Sequence, residues 1–195
     1  AMGGAQYVHT FDKCLFMPSD LTAGLEYNRD RLKDNMWGYD RHTDQTVNIY
    51  SAFLQNEWKN ERWSILVGGR LDKHNMVDNI IFSPRANLRF NPTQNINLRL
   101  SYSSGFRAPQ AFDEDMHIEN VGGTVAMIER AKNLKEEKSQ SFSASADIYH
   151  RFGAFQTNFL IEGFYTKLTD VFVLGEPYNR GAGVLVKLGS NGPGA

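Results

Sequence analysis

Apolar and polar residues alternate one by one over long stretches of this chain. In Gln94–Ser104, Ile96, Leu98, Leu100 and Tyr102 fall on one parity, and Asn97, Arg99, Ser101 and Ser103 on the other. A β-strand sends successive side chains to opposite faces, so this stretch has one apolar face and one wet, partly charged face. The period recurs upstream and downstream. Leu21, Ala23, Leu25 and Tyr27 oppose Thr22, Gly24, Glu26 and Asn28; Trp63, Ile65, Val67 and Leu71 oppose Ser64, Gly68, Arg70 and Asp72. Ile80, Phe82, Ala86, Leu88 and Phe90 oppose Ser83, Arg85, Asn87 and Arg89, and Phe142, Ala144, Ala146 and Ile148 oppose Ser141, Ser143, Ser145 and Asp147. The pattern predicts about nine strands. They lie near Gln6–Phe16, Asp20–Asn28, Thr46–Asn56, Arg62–Lys73, Asn79–Phe90, Gln94–Ser104, Ser139–Arg151, Ala154–Lys167 and Val184–Leu188. The third strand is mixed: Ile49 and Phe53 fall opposite Tyr50, Ala52 and Leu54, and its faces stay unassigned.

The connections carry a second regularity. Short turns are expected at Pro18–Ser19, Glu57–Glu61, Asn91–Thr93 and Phe152–Gly153. Longer connections are expected at Arg29–Gln45, His74–Asp78, Gly105–Lys138 and Leu168–Gly183. Hairpins with one tight side and one generous side are how up-and-down transmembrane β-barrels are built. Several strands reach the ~10 residues that a tilted strand needs to cross a bilayer. The competing reading is a soluble antiparallel sheet, with a β-sandwich adhesion or carbohydrate-binding module as its functional form.

Composition narrows the classes. The 195 residues carry 21 basic and 22 acidic side chains, a balance that argues against nucleic acid as a partner. No run approaches the ~20 apolar residues of a transmembrane helix. The lone Cys14 cannot form an internal disulfide, and the five histidines show no zinc-ligand spacing. Neither a resident metal nor a cofactor is expected. No GxSxG elbow is present and no histidine stands beside a candidate nucleophile, so the chain reads as non-catalytic. The start, AMGGAQ, lacks the basic and apolar regions of a signal peptide, and the end, GSNGPGA, is glycine-rich; both read as cut ends.

Ser101–Glu114, SYSSGFRAPQAFDE, resembles the barrel segment of TonB-dependent outer-membrane receptors, in which a strand ends in a GFRAP-type turn before a long outside loop. Asn133–Ser139, NLKEEKS, is similar to the family's re-entry element, without its two prolines. Ser83–Ser103 and Ser143–Phe172 resemble the hairpins on either side. The resemblance extends over about Ser19–Asn191. It implies an all-β fold: a segment of about nine strands from an antiparallel, up-and-down, 22-stranded transmembrane barrel. Residues 1–195 would be part of that barrel domain, without the plug that closes it. The family further implies residence in the bacterial outer membrane, contact with lipid, and import of a scarce solute such as a ferric siderophore, cobalamin or haem. Energy would come from the partner TonB, engaged through a part of the receptor outside this chain. Glycans or peptides are alternative cargoes.

Two sets of candidate residues follow, the first in two long connections and the second on the strands. Trp37, Tyr39, Arg41 and His42 sit in the first long connection, where aromatic and cationic side chains suit flat or anionic ligands. Arg107, Gln110, Phe112, Asp113, Glu114 and His117 sit in the longest one, whose length exceeds that of ordinary connections. Each has a plainer reading: Trp37 and Tyr39 as interfacial aromatics, Arg107 as part of a fixed turn with Pro109, and the acids as a solvated loop. The second set, Arg85, Arg89, Arg99, Asp147 and Glu162, falls on polar faces and is expected to line a wet interior or meet a plug.

Overall fold

The computed structural model describes residues 1–37, 41–109, 119–121, 124–130, 134–174, 178–179 and 185–192. Eight long strands form one sheet: β1 (Met2–Cys14), β2 (Met17–Met36), β3 (Arg41–Lys59), β4 (Trp63–His74), β5 (Ile81–Thr93), β6 (Ile96–Arg107), β9 (Glu137–Phe152) and β10 (Phe155–Thr169). Their spatial order is β1-β2-β3-β4-β5-β6-β9-β10, every pair antiparallel. Each strand therefore pairs with its predecessor in the sheet, the up-and-down meander that the alternation predicts. Short strands make a second sheet: β7 (Glu119–Val121), β8 (Thr124–Arg130), β11 (Phe172–Leu174), β12 (Tyr178–Asn179) and β13 (Leu185–Asn191). The expected ninth strand lands in this second sheet as β13, which runs parallel to β8, and does not extend the main one.

The pleat separates the two chemistries. Cross-strand partners share a face. Registers starting from Leu25 carry one face through Ala52 and Leu71 to Phe82; starting from Leu98, they carry it through Phe90 to Trp63. This is the convex face, and it stays open: Leu25 is 66%, Leu54 55%, Leu100 54% and Phe159 62% exposed. The opposite, concave face holds Glu26, Ser51, Arg70, Asp72 and Asp147, with Asp72 at 2% exposure. A soluble sandwich would bury the apolar side against a second sheet; here the buried side is the polar one. The described residues contain only one small apolar cluster, Val77, Ile81 and Ala108 with Phe106 beside it, at the long-loop rim.

Aromatic rings border the convex band at both ends. Trp63 stacks on Phe90 with centroids 4.1 Å apart, and Phe16 on Trp58 at 5.6 Å, near the tight turns. Tyr27 meets Tyr50 at 4.8 Å and Tyr102 meets Phe142 at 4.7 Å, toward the long connections. From Phe142 to Phe152 the strand runs about 33 Å at ~3.3 Å per residue. A tilt of about 40° reduces this to roughly 25 Å of height, the apolar band of an outer-membrane barrel. The tilt is visible in the register. The row that starts at Trp58 passes through Ile65, Leu88 and Leu100 to Ala144, yet the lower aromatic of that strand is Phe152, well toward the turns.

Local chemistry explains the turns. The first turn is at Leu15–Phe16, not at Pro18–Ser19. Pro18 lies just inside β2, where a missing N–H is tolerated, and Leu15 takes the positive φ of 64°. Between β3 and β4, the Asn60 Oδ1 accepts the backbone N–H groups of Arg62 and Trp63 at 2.9 and 2.8 Å. Between β9 and β10, Gly153 supplies a φ of 59°. The expected loop Arg29–Gln45 is mostly strand: β2 continues to Met36, and β3 resumes at Arg41 in unbroken register with it. Polar residues suggested a loop there, but antiparallel pairing needs backbone groups and not apolar side chains.

The mixed third strand also resolves. Tyr50, Ala52 and Leu54 take the convex face, and Ile49, Ser51 and Phe53 the concave one. Phe53 is tolerated inside because Gly24 lies directly across from it; a Cβ at Gly24 would run into the Phe53 ring.

Candidate functional site

The concave face is the candidate site. Its centre is an ion network built on three adjacent strands. Arg70 on β4 donates through Nε to the Asp72 Oδ1 at 2.8 Å and through Nη1 to the Glu26 Oε2 at 2.6 Å. Its Nη2 donates to the Ser51 Oγ at 2.8 Å, and Ser51 in turn donates to Asp72 at 2.5 Å. The Asp72 carboxylate is buried, so the guanidinium beside it offsets most of the desolvation that an isolated charge would suffer. Planar donor geometry lets one arginine serve three acceptors at once. Beside the network lies a recess of about 490 Å³, lined among others by Gln6, Thr22, Gln55, Ser83, Arg85 and Ser103.

A second group lies nearer the tight turns. Arg89, Arg99, Ser145 and Glu162 occupy one hydrogen-bonding row across β5, β6, β9 and β10, about 14 Å at ~4.8 Å per strand. Arg89 and Arg99 are directly opposite each other, an arrangement of like charges that is unfavourable on its own. Arg99 donates from Nε to the Asn97 Oδ1 at 2.8 Å, and the Tyr149 hydroxyl donates to the Asp147 Oδ2 at 2.8 Å. The Arg89 Nε and the Asp147 Oδ1 are buried without a hydrogen-bond partner among the described residues. Toward β10 the wall becomes milder: Ser101 and Ser143 share a hydrogen bond at 2.6 Å, and Leu160 and Phe164 break the polar parity.

Lining and band together form a wall that presents charge and hydroxyls to one side and hydrocarbon to the other. The match of the TonB dependent receptor-like β-barrel family model to residues 3–186 is decisive. The chain belongs to the TonB-dependent receptors. Its place is therefore the outer membrane of a Gram-negative bacterium. Among solved structures it is similar to the siderophore receptor PirA of Pseudomonas aeruginosa, with TM-score 0.80 and 15% identity over 99% of this chain and 37% of that one. It is also similar to a point mutant of the ferric enterobactin receptor PfeA of the same species, in complex with enterobactin: TM-score 0.77, 16% identity, 99% of this chain and 31% of that one. The iron transporter FrpB of Neisseria meningitidis follows at TM-score 0.61 and 16% identity, over 97% of this chain and 31% of that one. The chain thus spans about a third of the receptors it resembles, and at these identities the likeness is one of fold. No curated protein sequence matches it.

Of the expected interior residues, Arg85, Arg89, Arg99, Asp147 and Glu162 all fall on the concave parity, and all but Arg85 group near the turn-side row. Sequence reasoning did not assemble the Arg70 network, although the wet parities of the second and fourth strands already contain Glu26, Arg70 and Asp72. The missing signal was the register of β3 between them. Of the loop candidates, Trp37 is 81% exposed and meets the His42 ring edge-on at 5.2 Å. It follows the end of β2, beyond Tyr27. Arg41 pairs through its backbone with Met36. Arg107 caps a junction: it lies opposite Glu137 in the ladder and 5.9 Å from the Phe172 ring centroid, while the Glu137 Oε2 accepts the Phe172 N–H at 3.3 Å. Tyr39, Gln110, Phe112, Asp113, Glu114 and His117 lie outside the described residues.

Proposed function

We propose that residues 1–195 form part of the barrel wall of a receptor that captures a scarce solute outside the cell and imports it with energy transmitted by TonB. The observation that carries this reading is the two-sided wall itself, an apolar band facing lipid and a charged, hydroxyl-lined concave face. A siderophore-class iron complex is the favoured cargo, because PirA is a siderophore receptor, PfeA a ferric enterobactin receptor and FrpB an iron transporter; cobalamin, haem, glycans and peptides are the alternatives.

In this reading further strands complete the barrel and a plug fills it. The opposed Arg89 and Arg99, with the Arg89 Nε and Asp147 Oδ1 unbonded among the described residues, support a plug that brings acidic and donor groups to that row. Arg85 and Glu162 would face the same interior. Trp37, Tyr39, Arg41 and His42 would form one capture surface at the rim, and Gln110, Phe112, Asp113, Glu114 and His117, held from the Arg107 junction, the other.

The test is uptake by the whole receptor in a strain lacking its own siderophore receptors. Trp37→Ala with Tyr39→Ala should weaken cargo binding about tenfold, the loss of one or two aromatic contacts. Uptake should also stop when TonB is deleted. Transport that continues without TonB, or unchanged affinity for every cargo offered, would defeat the proposal.

A further inference from the structure

Above the aromatic border, β2 reads Arg29-Asp30-Arg31-Leu32-Lys33-Asp34. In sequence this segment is nearly neutral. In the sheet it is not, because the strand continues and the pleat sorts it by sign. Arg29, Arg31 and Lys33 share the parity of Leu25 and Tyr27 and project from the convex, lipid-side face. Asp30 and Asp34 take the concave face, where the Asn28 Nδ2 donates to Asp30 at 3.4 Å. The partner strand adds Asn48, Thr46, Asp44 and His42 to the convex side. Among the described residues of these two extensions, that face therefore carries three permanent cations and one carboxylate. Arg31 binds Asp44 in two places, Nε to Oδ1 at 3.1 Å and Nη2 to Oδ2 at 2.7 Å. All three cations are exposed.

Height decides what they meet. Arg29 is the first outward residue beyond Tyr27, and Lys33 ends the strip about 20 Å along the strand from Tyr27, at ~3.3 Å per residue. With the tilt, the strip covers roughly the first 5–15 Å above the aromatic border, the headgroup layer of the outer leaflet. Long cationic stems can bend toward that layer while their alkyl parts lie on the wall. We propose that Arg29, Arg31 and Lys33 form a docking strip for phosphorylated lipid headgroups of the outer leaflet, with Asp44 as the counter-charge that limits its strength. The inference rests on the membrane placement of the sheet and is independent of the cargo.

The test uses the whole receptor in detergent, with lipid A bearing two phosphates as the probe and its phosphate-free form as the comparison, and bound lipid counted by native mass spectrometry. The triple variant R29Q/R31Q/K33Q should retain at least tenfold less phosphorylated lipid, from about fivefold per cation near an anionic surface, while binding of the phosphate-free lipid is unchanged. D44N should raise retention. D30N changes the net charge by the same amount from the opposite face and should have no effect. Millimolar inorganic phosphate should not compete; competition would mean a free-anion site and overturn the assignment to lipid. Equal retention by the triple variant and the parent, or equal effects of D30N and D44N, would refute the strip. Unchanged detergent-resistant β-structure in every variant separates these results from misfolding.

Discussion

The convex and concave faces of one sheet solve opposite problems with the same backbone. On the convex side, side chains meet hydrocarbon, and Leu25, Leu54, Val67 and Leu100 are left open without partners of their own. On the concave side Arg70 ties Glu26, Asp72 and the Ser51 hydroxyl into one network, and the Arg89 Nε and Asp147 Oδ1 are buried without a hydrogen-bond partner among the described residues. Burial and polarity are inverted relative to a soluble domain, so the usual equation of apolar with interior fails here. Energy on the convex face is set by the solvent and on the concave face by specific neighbours. The two should respond differently to the same substitution.

The widest difference is expected between adjacent residues. Leu100 lies mid-band on the convex side, and Ser101 faces inward with its hydroxyl on Ser143. Leu100→Arg should lower the unfolding free energy of the receptor in lipid by about 2–4 kcal/mol, the cost of a cation near the bilayer midplane. Ser101→Arg should lower it by no more than about 1 kcal/mol, the usual range for one lost hydrogen bond. Denaturant unfolding in vesicles measures both, and comparable losses would show that the two faces see the same medium.

Next comes the network. Removing Arg70 leaves the buried Asp72 carboxylate with the Ser51 hydroxyl as its side-chain donor among the described residues, Glu26 being more exposed. Arg70→Met should cost about 1–3 kcal/mol, less than a fully buried pair because the guanidinium is itself partly solvated. Arg70→Met combined with Asp72→Asn should recover part of the loss, since the stranded charge is then gone. A double variant as unstable as the sum of the singles would mean that the two groups act independently.

Much of this architecture was legible from parity alone. Strict alternation in Ile96–Tyr102 and Phe142–Ile148 assigned faces correctly, since one face of each strand meets a uniform medium. The shared parity of Arg85, Arg89 and Arg99 was legible for the same reason. The segment Arg29–Gln45 was not. Beyond the apolar band neither face needs to be apolar, so hydropathy has no period there while the hydrogen-bonded ladder continues. The Phe53 parity was unreadable because its cause, Gly24, lies on another strand. The Arg70 network was hidden likewise: it joins β2, β3 and β4, and no single-strand pattern contains a register. The candidates at 110–117 lie outside the described residues.

The smallest expected effect sharpens the comparison at its upper limit, where the convex face leaves lipid for water. The Arg31 guanidinium holds the Asp44 carboxyl below the usual carboxylate range, mainly through their hydrogen bonds and secondarily through charge. A depressed folded-state value means that the pair stabilises the hairpin at neutral pH, where the unfolded chain is already ionised, and that this contribution is lost as pH falls through the depressed value. Both groups are largely solvated, so salt and water screen the pair and the difference between the parent and Asp44→Asn should be small at pH 7. That difference should vanish in acid, and should shrink in high salt at any pH. Unfolding midpoints of the two proteins, taken from pH 7 down to pH 3, measure it. A gap that stays constant across the range would mean that Asp44 acts through packing or strand pairing and that its charge is incidental, whereas a gap that closes in acid would mark this rim as aqueous, in contrast to the band only a few residues below it.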